Sequence, residues 1–444
     1  MDITDFTYYS IEELIARAHN PRTHSKAQVR QIAASIEEFG WTNPILIDDV
    51  GGIIAGHGRV AAAKLLKLDQ VPTLRLADLT EAQIQAYVIT DNKLAENAGW
   101  DREILATELQ GLMDLDFDIE LTGFEMAEID IVLEDIQLDD SDPDDDIPDI
   151  DDEEEPVTRI GDLWTLGSHR LLCGDALDLG SYVTLLGDHD ADMVFTDPPY
   201  NVPIAGHVSG LGMHKHREFE MASGEMSPAA FTNFLTTVCD NMSFCSEDGA
   251  LHYICMDWRH MDELMGAGNK IYTELKALCV WNKSNGGMGS LYRSKHELVF
   301  VYKNGSGSHT NNIQLGKFGR NRTNVWEYAG ANAFGGTRDE DLAMHPTVKP
   351  VALVSDAIMD CTKRDAWVLD PFSGSGTTLI AAEKTCRQAA GLEIDPRYVD
   401  VAVKRWQQLT GSEAVHQASG QTFNELRLAR QGSRNLDQQT VQVY

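Results

Sequence analysis

The stretch from Trp367 to Thr378 reads Trp-Val-Leu-Asp-Pro-Phe-Ser-Gly-Ser-Gly-Thr-Thr and decides the fold of the larger part of the chain. Its first four residues predict a buried strand, its glycines predict a tight turn, and the pattern from Leu379 to Lys384 predicts the start of a helix. Glycines in such a turn let the backbone approach a cofactor closely. A phosphate-binding loop ending in Gly-Lys-Ser/Thr is excluded, because two threonines follow the last glycine.

The next apolar run, Ala389 to Leu392, is followed by Glu393, which lies 23 residues after Asp370. An acidic side chain in this position can accept hydrogen bonds from ribose hydroxyls. The glycine turn and this acid together predict a cofactor that carries a nucleoside.

Short apolar runs bounded by turn residues recur through the same part of the chain, with helical patterns between several of them. They predict an α/β fold with a doubly wound, mostly parallel sheet of about seven strands. The predicted strands are Leu171 to Cys173, Asp192 to Phe195, Ala250 to Cys255, Leu278 to Trp281, Leu298 to Tyr302, Trp367 to Leu369 and Ala389 to Leu392.

Directly after one of these strands, the residues from Thr196 to Tyr200 read Thr-Asp-Pro-Pro-Tyr. The prolines fix the backbone, so the carboxylate of Asp197 and the carbonyl of Pro198 are held at the carboxyl edge of the sheet. Two adjacent acceptors suit an exocyclic amino group, and Tyr200 offers a face on which a base can stack. The alternative is a strand-ending turn with an incidental aspartate.

Both motifs resemble those of DNA amino-methyltransferases that use S-adenosylmethionine. The similarity extends to residues 345–350 and 391–396 and covers roughly 159–409. The catalytic motif precedes the cofactor motif, which resembles the permuted, or beta, arrangement of the family.

The resemblance implies a seven-stranded Rossmann-like sheet in which the strand ending at Asp370 lies beside the strand ending at Phe195. The catalytic residues that it implies are Asp197, Pro198, Pro199 and Tyr200. The cofactor contacts that it implies are Asp370, Pro371, Phe372, Ser373, Gly374, Ser375, Gly376, Thr377, Thr378 and Glu393.

Three further residues are expected near the cofactor. Asp175 follows a predicted strand and lies near the adenine if that strand is third in the unpermuted order; a helix cap is the alternative. The resemblance implies that Thr347 and Lys349 lie near the methionine carboxylate, although Lys349 could equally be a surface charge.

The net charge of −34 over 444 residues is unevenly distributed. From Glu134 to Glu155, 14 of 22 residues are acidic and none is basic, which predicts an acidic linker over 134–158. The linker separates an N-terminal domain with a helical extension (1–133) from a methyltransferase domain (159–412), which a polar tail (413–444) follows.

The segment 283–338 is basic, with eight Lys or Arg against two Glu. It lies where permuted family members carry their target recognition region, here 283–345. Basic side chains neutralise phosphates and read guanine edges, so double-stranded DNA is the expected partner, and a solvated surface is the alternative. The candidate DNA contacts are Lys283, Arg293, Lys295, Lys317, Arg320 and Arg322.

The N-terminal part reads Ala-Gly-His-Gly-Arg-Val at 55–60, running from a predicted strand into a predicted helix. Backbone amides, the helix dipole and Arg59 suit a phosphate there. The region from about 10 to 95 resembles the N-terminal domain of the ParB partition family, which implies a small ParB/sulfiredoxin-like α/β domain. The candidate nucleotide contacts are Gly56, His57, Gly58 and Arg59; family members commonly have Glu in place of His57, and a purely structural turn is the alternative.

The composition predicts a cytoplasmic protein without a metal site. No run approaches the roughly 18 apolar residues of a membrane span, the first residues lack a signal-peptide pattern, and the seven cysteines form no Cys-x-x-Cys pair. No His or Cys spacing typical of metal ligands recurs.

The predicted function is transfer of a methyl group from S-adenosylmethionine to the N6 amino group of adenine in DNA, as in restriction–modification. The closest alternative is methylation of cytosine N4, although enzymes of that type more often have Ser in place of Asp197. An alternative of another class is a partition-type DNA-binding protein with a cofactor-sensing scaffold. Relatives of this arrangement often form homodimers.

Overall fold

The computed structural model describes residues 6–17, 21–97, 100–115, 117–124, 128–130, 132, 145, 155–201, 224–283, 292–313, 322–328 and 349–431. The chain divides into two compact units, 1–138 and 139–444. Within the described ranges, no helix is both long and apolar enough to cross a membrane.

The first unit is built on a four-stranded mixed sheet. Its strands are β1 (Phe6–Ser10), β2 (Ile45–Ile47), β3 (Ile53–Ala55) and β4 (Gln70–Arg75), in the spatial order β1-β4-β2-β3. Its helices are α1 (Lys26–Phe39), α2 (His57–Leu65), α3 (Glu81–Asn97) and α4 (Arg102–Asp114). Apolar side chains of β2, β3 and α2, among them Ile45, Ile53 and Val60, form its core. A second small core, which includes Ala106 and Leu109, lies in the helical extension.

The second unit is built on a large sheet with helices between the strands. The strands are β5 (Leu163–Leu166), β6 (His169–Cys173), β7 (Ala191–Thr196), β8 (Ser246–Met256), β9 (Glu274–Asn282), β10 (His296–Lys303), β11 (Val325–Glu327), β12 (Trp367–Asp370), β13 (Gln388–Glu393) and β14 (Val415–His416). The helices are α5 (Leu179–Leu186), α6 (Pro228–Phe244), α7 (Met261–Ile271), α8 (Val351–Cys361), α9 (Thr377–Lys384) and α10 (Pro396–Thr410).

The α/β prediction is confirmed, and each of the seven predicted strands is present. The predicted strand count is nevertheless wrong, because the described residues form ten strands in the order β11-β9-β10-β8-β7-β12-β13-β6-β5-β14. The additional strands β5, β11 and β14 have two to four residues each and lie at the two ends of the sheet. Such short segments carry too little pattern to be recognised in a sequence.

The centre of the sheet is parallel and buried on both faces. Alternate side chains of β7 point to opposite faces, so that Met193 and Phe195 join one apolar cluster and Val194 joins the other. This double burial explains why the central strands are continuous apolar runs.

Strands β7 and β12 are parallel neighbours, with Val368 opposite Met193 and Leu369 opposite Val194, as the family resemblance implies. The chain continues from β7 to β8 on one side and from β12 to β13 on the other. The strand order therefore reverses between β7 and β12, and a crevice at their carboxyl ends is the expected position of a ligand site in such a sheet.

The segment after α10 differs from the predicted polar tail. Strand β14 pairs with β5, and Phe423 and Leu426, in a helix over 423–431, belong to the larger apolar core. The ion pair from Arg430 to Asp162 (2.6 Å) fixes this helix to the sheet edge. Because only these two apolar side chains of the helix join the core, the polar composition gave no signal for it. Residues 432–444 lie outside the described ranges.

The predicted acidic linker lies mostly outside the described residues. Where it is described, it contacts the second unit: Asp145 accepts a hydrogen bond from the backbone N–H of Val351 (2.8 Å). The N–H groups of Val157 and Thr158 donate to the Asp400 carboxylate at 2.6 and 3.0 Å. The second unit therefore begins before residue 159.

Candidate active site

The Asp-Pro-Pro-Tyr motif and the glycine turn meet at the carboxyl ends of β7 and β12. The last residue of β7, Thr196, is buried, and its hydroxyl donates to Asp370 Oδ1 (2.8 Å) at the end of β12. Asp370 also accepts from the Thr378 hydroxyl (2.6 Å) and from the backbone N–H of Phe372 (3.1 Å). Burial raises its pKa to about 6. Asp370 thus fixes the turn to β7 and α9 through hydrogen bonds, and each of its carboxylate oxygens accepts at least one of them.

Asp197 follows Thr196, and internal donors occupy both of its oxygens. The Tyr200 hydroxyl donates to Oδ1, and Lys349 Nζ donates to Oδ2 at 2.5 Å. Burial and the neighbouring Glu297 carboxylate raise the pKa of Asp197 against the opposing effect of Lys349. Burial and Asp197 also raise the pKa of Tyr200, so its hydroxyl stays protonated and remains a donor.

Lys349 has a second carboxylate partner in Glu297 of β10, with Nζ 3.0 Å from Oε2. The Lys349 side chain is only 5% exposed and also lies 5.7 Å from the Tyr200 ring centroid. The Lys349 ammonium therefore lies between two protein carboxylates. Its expected contact with the methionine carboxylate of the cofactor remains a prediction. Thr347 lies outside the described residues.

Glu297 was missed by the sequence analysis. Its other oxygen, Oε1, accepts from Lys283 Nζ. Burial favours the protonated acid, but Lys349 and Lys283 outweigh it and lower the pKa of Glu297 to about 2. The available signal was a lone carboxylate next to the apolar run of β10. In the folded sheet β8 separates this strand from β7, and Glu297 reaches the site through its contact with Lys349.

The glycine turn leads from β12 into α9 and is tied to the end of β13. Glu393 accepts from the N–H of Gly374 (2.8 Å) through Oε2 and from the N–H of Asp395 (2.9 Å) through Oε1. Burial raises the pKa of Glu393 to about 7. No atom of the described residues lies within 4 Å of a Cβ placed on Gly374, so within this part of the chain the turn presents a free surface there.

Gly376 is required by helix packing. Its φ of +85° is left-handed, and a Cβ there would lie 2.7 Å from the Cβ of Ala402 on α10. The expected contact of Gly376 with the cofactor remains a prediction. Ser375 also faces the protein, since its carbonyl and hydroxyl oxygens accept from buried Arg405 at 2.9 and 3.2 Å.

Asp175 lies beside Glu393 at the end of β6. The N–H of the preceding Gly174 donates to the Glu393 carbonyl (3.0 Å), and Asp175 Oδ1 accepts from the N–H of Leu177 (2.8 Å). The cap of the following helix is Asp178. Asp175 is therefore not that cap, and its contact with the adenine remains a prediction.

The candidate DNA contacts do not form one group. Arg322 is 17% exposed and forms ion pairs with Asp356 (2.5 Å) and Asp360 (2.9 Å) of α8, so its contact with phosphate remains a prediction that these ion pairs disfavour. The partner of Lys283 is Glu297. Arg293 and Lys295 are exposed just before β10. Lys317 and Arg320 lie outside the described residues.

The 55–60 segment of the first unit turns from β3 into α2. Gly56 has a left-handed φ of +102°, and the Nε2 atom of half-buried His57 has no hydrogen-bond partner among the described residues. Burial, His24 and Arg17 lower the pKa of His57, which keeps it neutral. Arg59 borders a cavity of about 380 Å³, whose other lining residues include Gln28, Trp41 and Asn43.

Comparison with known proteins gives separate matches for the two units. Residues 191–404 match the DNA methylase family, residues 3–92 match the ParB N-terminal domain, and residues 103–160 match the ParB-methyltransferase HTH domain. The last match includes the whole of the predicted acidic linker, 134–158.

Individual proteins similar to each unit are also known. The chain is 58% identical over 78 residues to the ParB-like nuclease domain-containing protein YnaK of Escherichia coli K12, covering 18% of the chain and 90% of that protein. It is 24% identical over 257 residues to the type II methyltransferase M2.MboI of Moraxella bovis, covering 53% of the chain and 87% of that protein. The solved structure of TTHA0409, a putative DNA modification methylase from Thermus thermophilus in complex with S-adenosyl-L-methionine, is 20% identical with a TM-score of 0.40, covering 56% and 97% of the two chains.

Proposed function

The chain belongs to the ParB N-terminal domain family through its first unit and carries a DNA methylase domain in its second, and on this basis we propose that it methylates the N6 amino group of adenine in double-stranded DNA. The observation that carries the proposal is the hydrogen bond from Thr196 to Asp370, which joins the base-binding motif directly to the cofactor turn. The permuted order of these two motifs along the chain is compatible with this contact, because β7 and β12 are neighbours.

S-adenosylmethionine is the cofactor, and it supplies an electrophilic methyl group on a sulfonium. The crevice fits it in two respects: Glu393 places a half-buried carboxylate at the end of β13, and the turn is open at Gly374. With the cofactor bound, Glu393 would hold the ribose hydroxyls, Gly374 and Phe372 would line the cofactor side, and Asp175 would lie near the adenine. Asp370, Ser375, Gly376 and Thr378 support the turn from behind.

Asp197 and the Pro198 carbonyl accept the two hydrogens of the target amino group. The amino nitrogen is a poor nucleophile because its lone pair is delocalised into the ring. Two fixed acceptors favour a more tetrahedral nitrogen and orient it, so positioning supplies much of the rate. The base must leave the duplex to reach these groups, and the Tyr200 ring offers it a stacking surface.

Asp197 favours adenine over cytosine as the target, because the cytosine-N4 enzymes of the family more often have Ser in this position. Sequencing of modified bases in DNA from cells that express the protein, against a vector control, distinguishes the two targets. Modified cytosines would replace the adenine proposal, and unmodified DNA would favour the cofactor-sensing alternative.

Substitution of Asp197 tests the assignment of the catalytic residue. We expect Asp197→Ala to abolish methyl transfer and to keep the affinity for S-adenosylmethionine, because Lys349 retains Glu297 as its partner and the cofactor residues lie on other strands. Tritium transfer and calorimetry on one preparation measure both quantities. Loss of cofactor binding by a folded variant would contradict the assignment.

For the first unit we propose nucleotide binding beside Arg59. The supporting observation is the cavity that this side chain borders, next to the turn that contains His57 with its unsatisfied Nε2. Arg59→Ala should weaken the binding of CTP or ATP at least tenfold, whereas Arg30→Ala, on α1 outside the cavity lining, should not. Equal affinities in calorimetry would favour the purely structural turn.

A further inference from the structure

The proposed acceptor of the target amino group already has two donors within the protein. Tyr200 occupies Oδ1 of Asp197, and Lys349 occupies Oδ2 at 2.5 Å. An adenine amino group therefore competes with these donors for the two oxygens of Asp197, and the bond to the charged ammonium is the stronger competitor. Tyr200 is fixed two residues beyond Pro198 in the same turn, whereas Lys349 belongs to the segment before α8.

Lys349 can leave Asp197 only if it keeps another negative partner. Its side chain is 5% exposed, and an unpaired ammonium at that depth is strongly unfavourable. Glu297 Oε2 lies 3.0 Å from the same Nζ. The ammonium is therefore shared by Asp197 and Glu297, and a small movement leaves it paired with Glu297 alone. The rings of Tyr200 and Trp281, at 5.7 and 5.9 Å from Nζ, flank this position and also favour a cation.

Glu297 is suited to hold Lys349 because its own position is fixed. Its second oxygen is bound by Lys283, which directly follows the neighbouring strand β9, and the register places His296 opposite Asn282 next to this pair. Lys283 and Lys349 together keep Glu297 ionised. The carboxylate therefore remains available when Lys349 loses Asp197.

We propose that Glu297 is a positioning residue that takes over Lys349 when the target base arrives, and thereby frees Asp197 for the amino group. This inference rests on the proposed methyl transfer and adds a group from the antiparallel part of the sheet to the reaction. It also assigns a role in the site to Lys283, which was predicted to contact DNA.

Replacement of Glu297 by glutamine tests the proposal. Glu297→Gln keeps the shape of the side chain but not its charge, so Asp197 becomes the counter-ion of Lys349 in place of the shared pair. The target base then competes with a stronger ion pair between Lys349 and Asp197. We expect KM for a duplex oligonucleotide to rise at least tenfold, with the affinity for S-adenosylmethionine within threefold of the wild type. Glu297→Asp should restore part of the loss, since it restores the charge.

The matched control is Glu274→Gln, at the opposite end of the same strand pair, where Glu274 is exposed and pairs with Lys276. It should leave KM unchanged. Lys283→Gln, which loosens Glu297 without removing it, should raise KM less than Glu297→Gln and keeps the proposal testable if the latter variant does not fold.

Two results would overturn the proposal: a wild-type KM in folded Glu297→Gln, or a loss of cofactor affinity as large as the loss of kcat/KM. The second result would assign Glu297 and Lys349 to the cofactor instead. These results differ from a failure of the proposed function itself, in which the wild-type chain would transfer no methyl group to DNA.

Discussion

At the scale of single residues, burial raises the pKa of two of the proposed cofactor carboxyl groups, that of Glu393 to about 7 and that of Asp370 to about 6. Their partners differ in kind. Asp370 accepts from two side-chain hydroxyls and a backbone N–H, whereas the donors to Glu393 within the described part of the chain are backbone N–H groups. Asp370 thus has three donors and Glu393 has two, and because a carboxylate offers about four acceptor sites, more acceptor capacity is left on Glu393 for a ligand.

The titration of Glu393 predicts a pH dependence of cofactor binding. An ionised Glu393 accepts ribose hydroxyls better than a protonated one, so the affinity for S-adenosylmethionine should rise as the pH rises through about 7. A single group of this pKa limits the change between about pH 6 and pH 8 to about tenfold. Isothermal titration calorimetry at both pH values measures it.

Glu393→Gln supplies the control, because it does not titrate and places an amide group against backbone N–H donors. Its affinity should be lower by about 1 to 3 kcal/mol at about pH 8 and should not change with pH. The same slope in this variant as in the wild type would assign the pH dependence to another group.

At the scale of elements, the turn before α9 depends on the packing of that helix against α10. Gly376 caps α9 with a left-handed backbone and leaves no room for a Cβ beside Ala402. Gly411 caps the end of α10 with a similar φ of +69°, but nothing among the described residues lies within 4 Å of its missing Cβ. A comparison of Gly376 with Gly411 therefore distinguishes the cost of a left-handed backbone, which both share, from the cost of a steric overlap, which only Gly376 would have.

Gly376→Ala should therefore destabilise the second unit more than Gly411→Ala does. Both variants strain a left-handed residue, and only the first adds an overlap, which costs about 1 to 3 kcal/mol in a well-packed core. Urea unfolding of the two variants measures the difference. Equal losses would mean that α9 and α10 separate easily.

Arg322 connects the short strand β11 to α8. Arg322→Gln should cost about 3 to 5 kcal/mol, because Asp356 and Asp360 then lose their buried counter-ion. Exposed Lys295→Gln should change stability by less than about 0.5 kcal/mol. If Lys295 contacts DNA, its variant should also reduce the salt dependence of DNA binding by about one phosphate contact.

Urea unfolding and DNA titrations at several salt concentrations test this pair of variants together. A stable Arg322→Gln protein whose DNA affinity depends less on salt would support the prediction that Arg322 contacts phosphate.

At the scale of the whole molecule, the local motifs were predictable and the partners of their side chains were not. Strand ends and turn residues located Asp197, Tyr200 and Glu393, because each follows directly from a run of neighbouring residues. The contacts of Lys349 with Asp197 and Glu297 join segments 152 and 52 residues apart, so no local pattern encodes them. The ion pairs of Arg322 with Asp356 and Asp360 were likewise not predictable, because in the sequence Arg322 is one of several basic residues in the same segment.

The independence of the second unit is the last prediction. All proposed catalytic, cofactor and DNA contacts of the methyl transfer lie beyond residue 159, so a chain of residues 139–444 should methylate short duplex oligonucleotides at a rate within about threefold of the full chain. A chain that starts at 159 loses the N–H donors of Val157 and Thr158 and leaves the buried Asp400 carboxylate without them. It should be less stable by about 1 to 3 kcal/mol per lost partner. Thermal unfolding and initial rates of both truncated chains measure these effects. Inactivity of a folded 139–444 chain on oligonucleotides would show that the ParB-like unit completes the methyltransferase site, whereas a deficit confined to long DNA would assign that unit to tethering or nucleotide control.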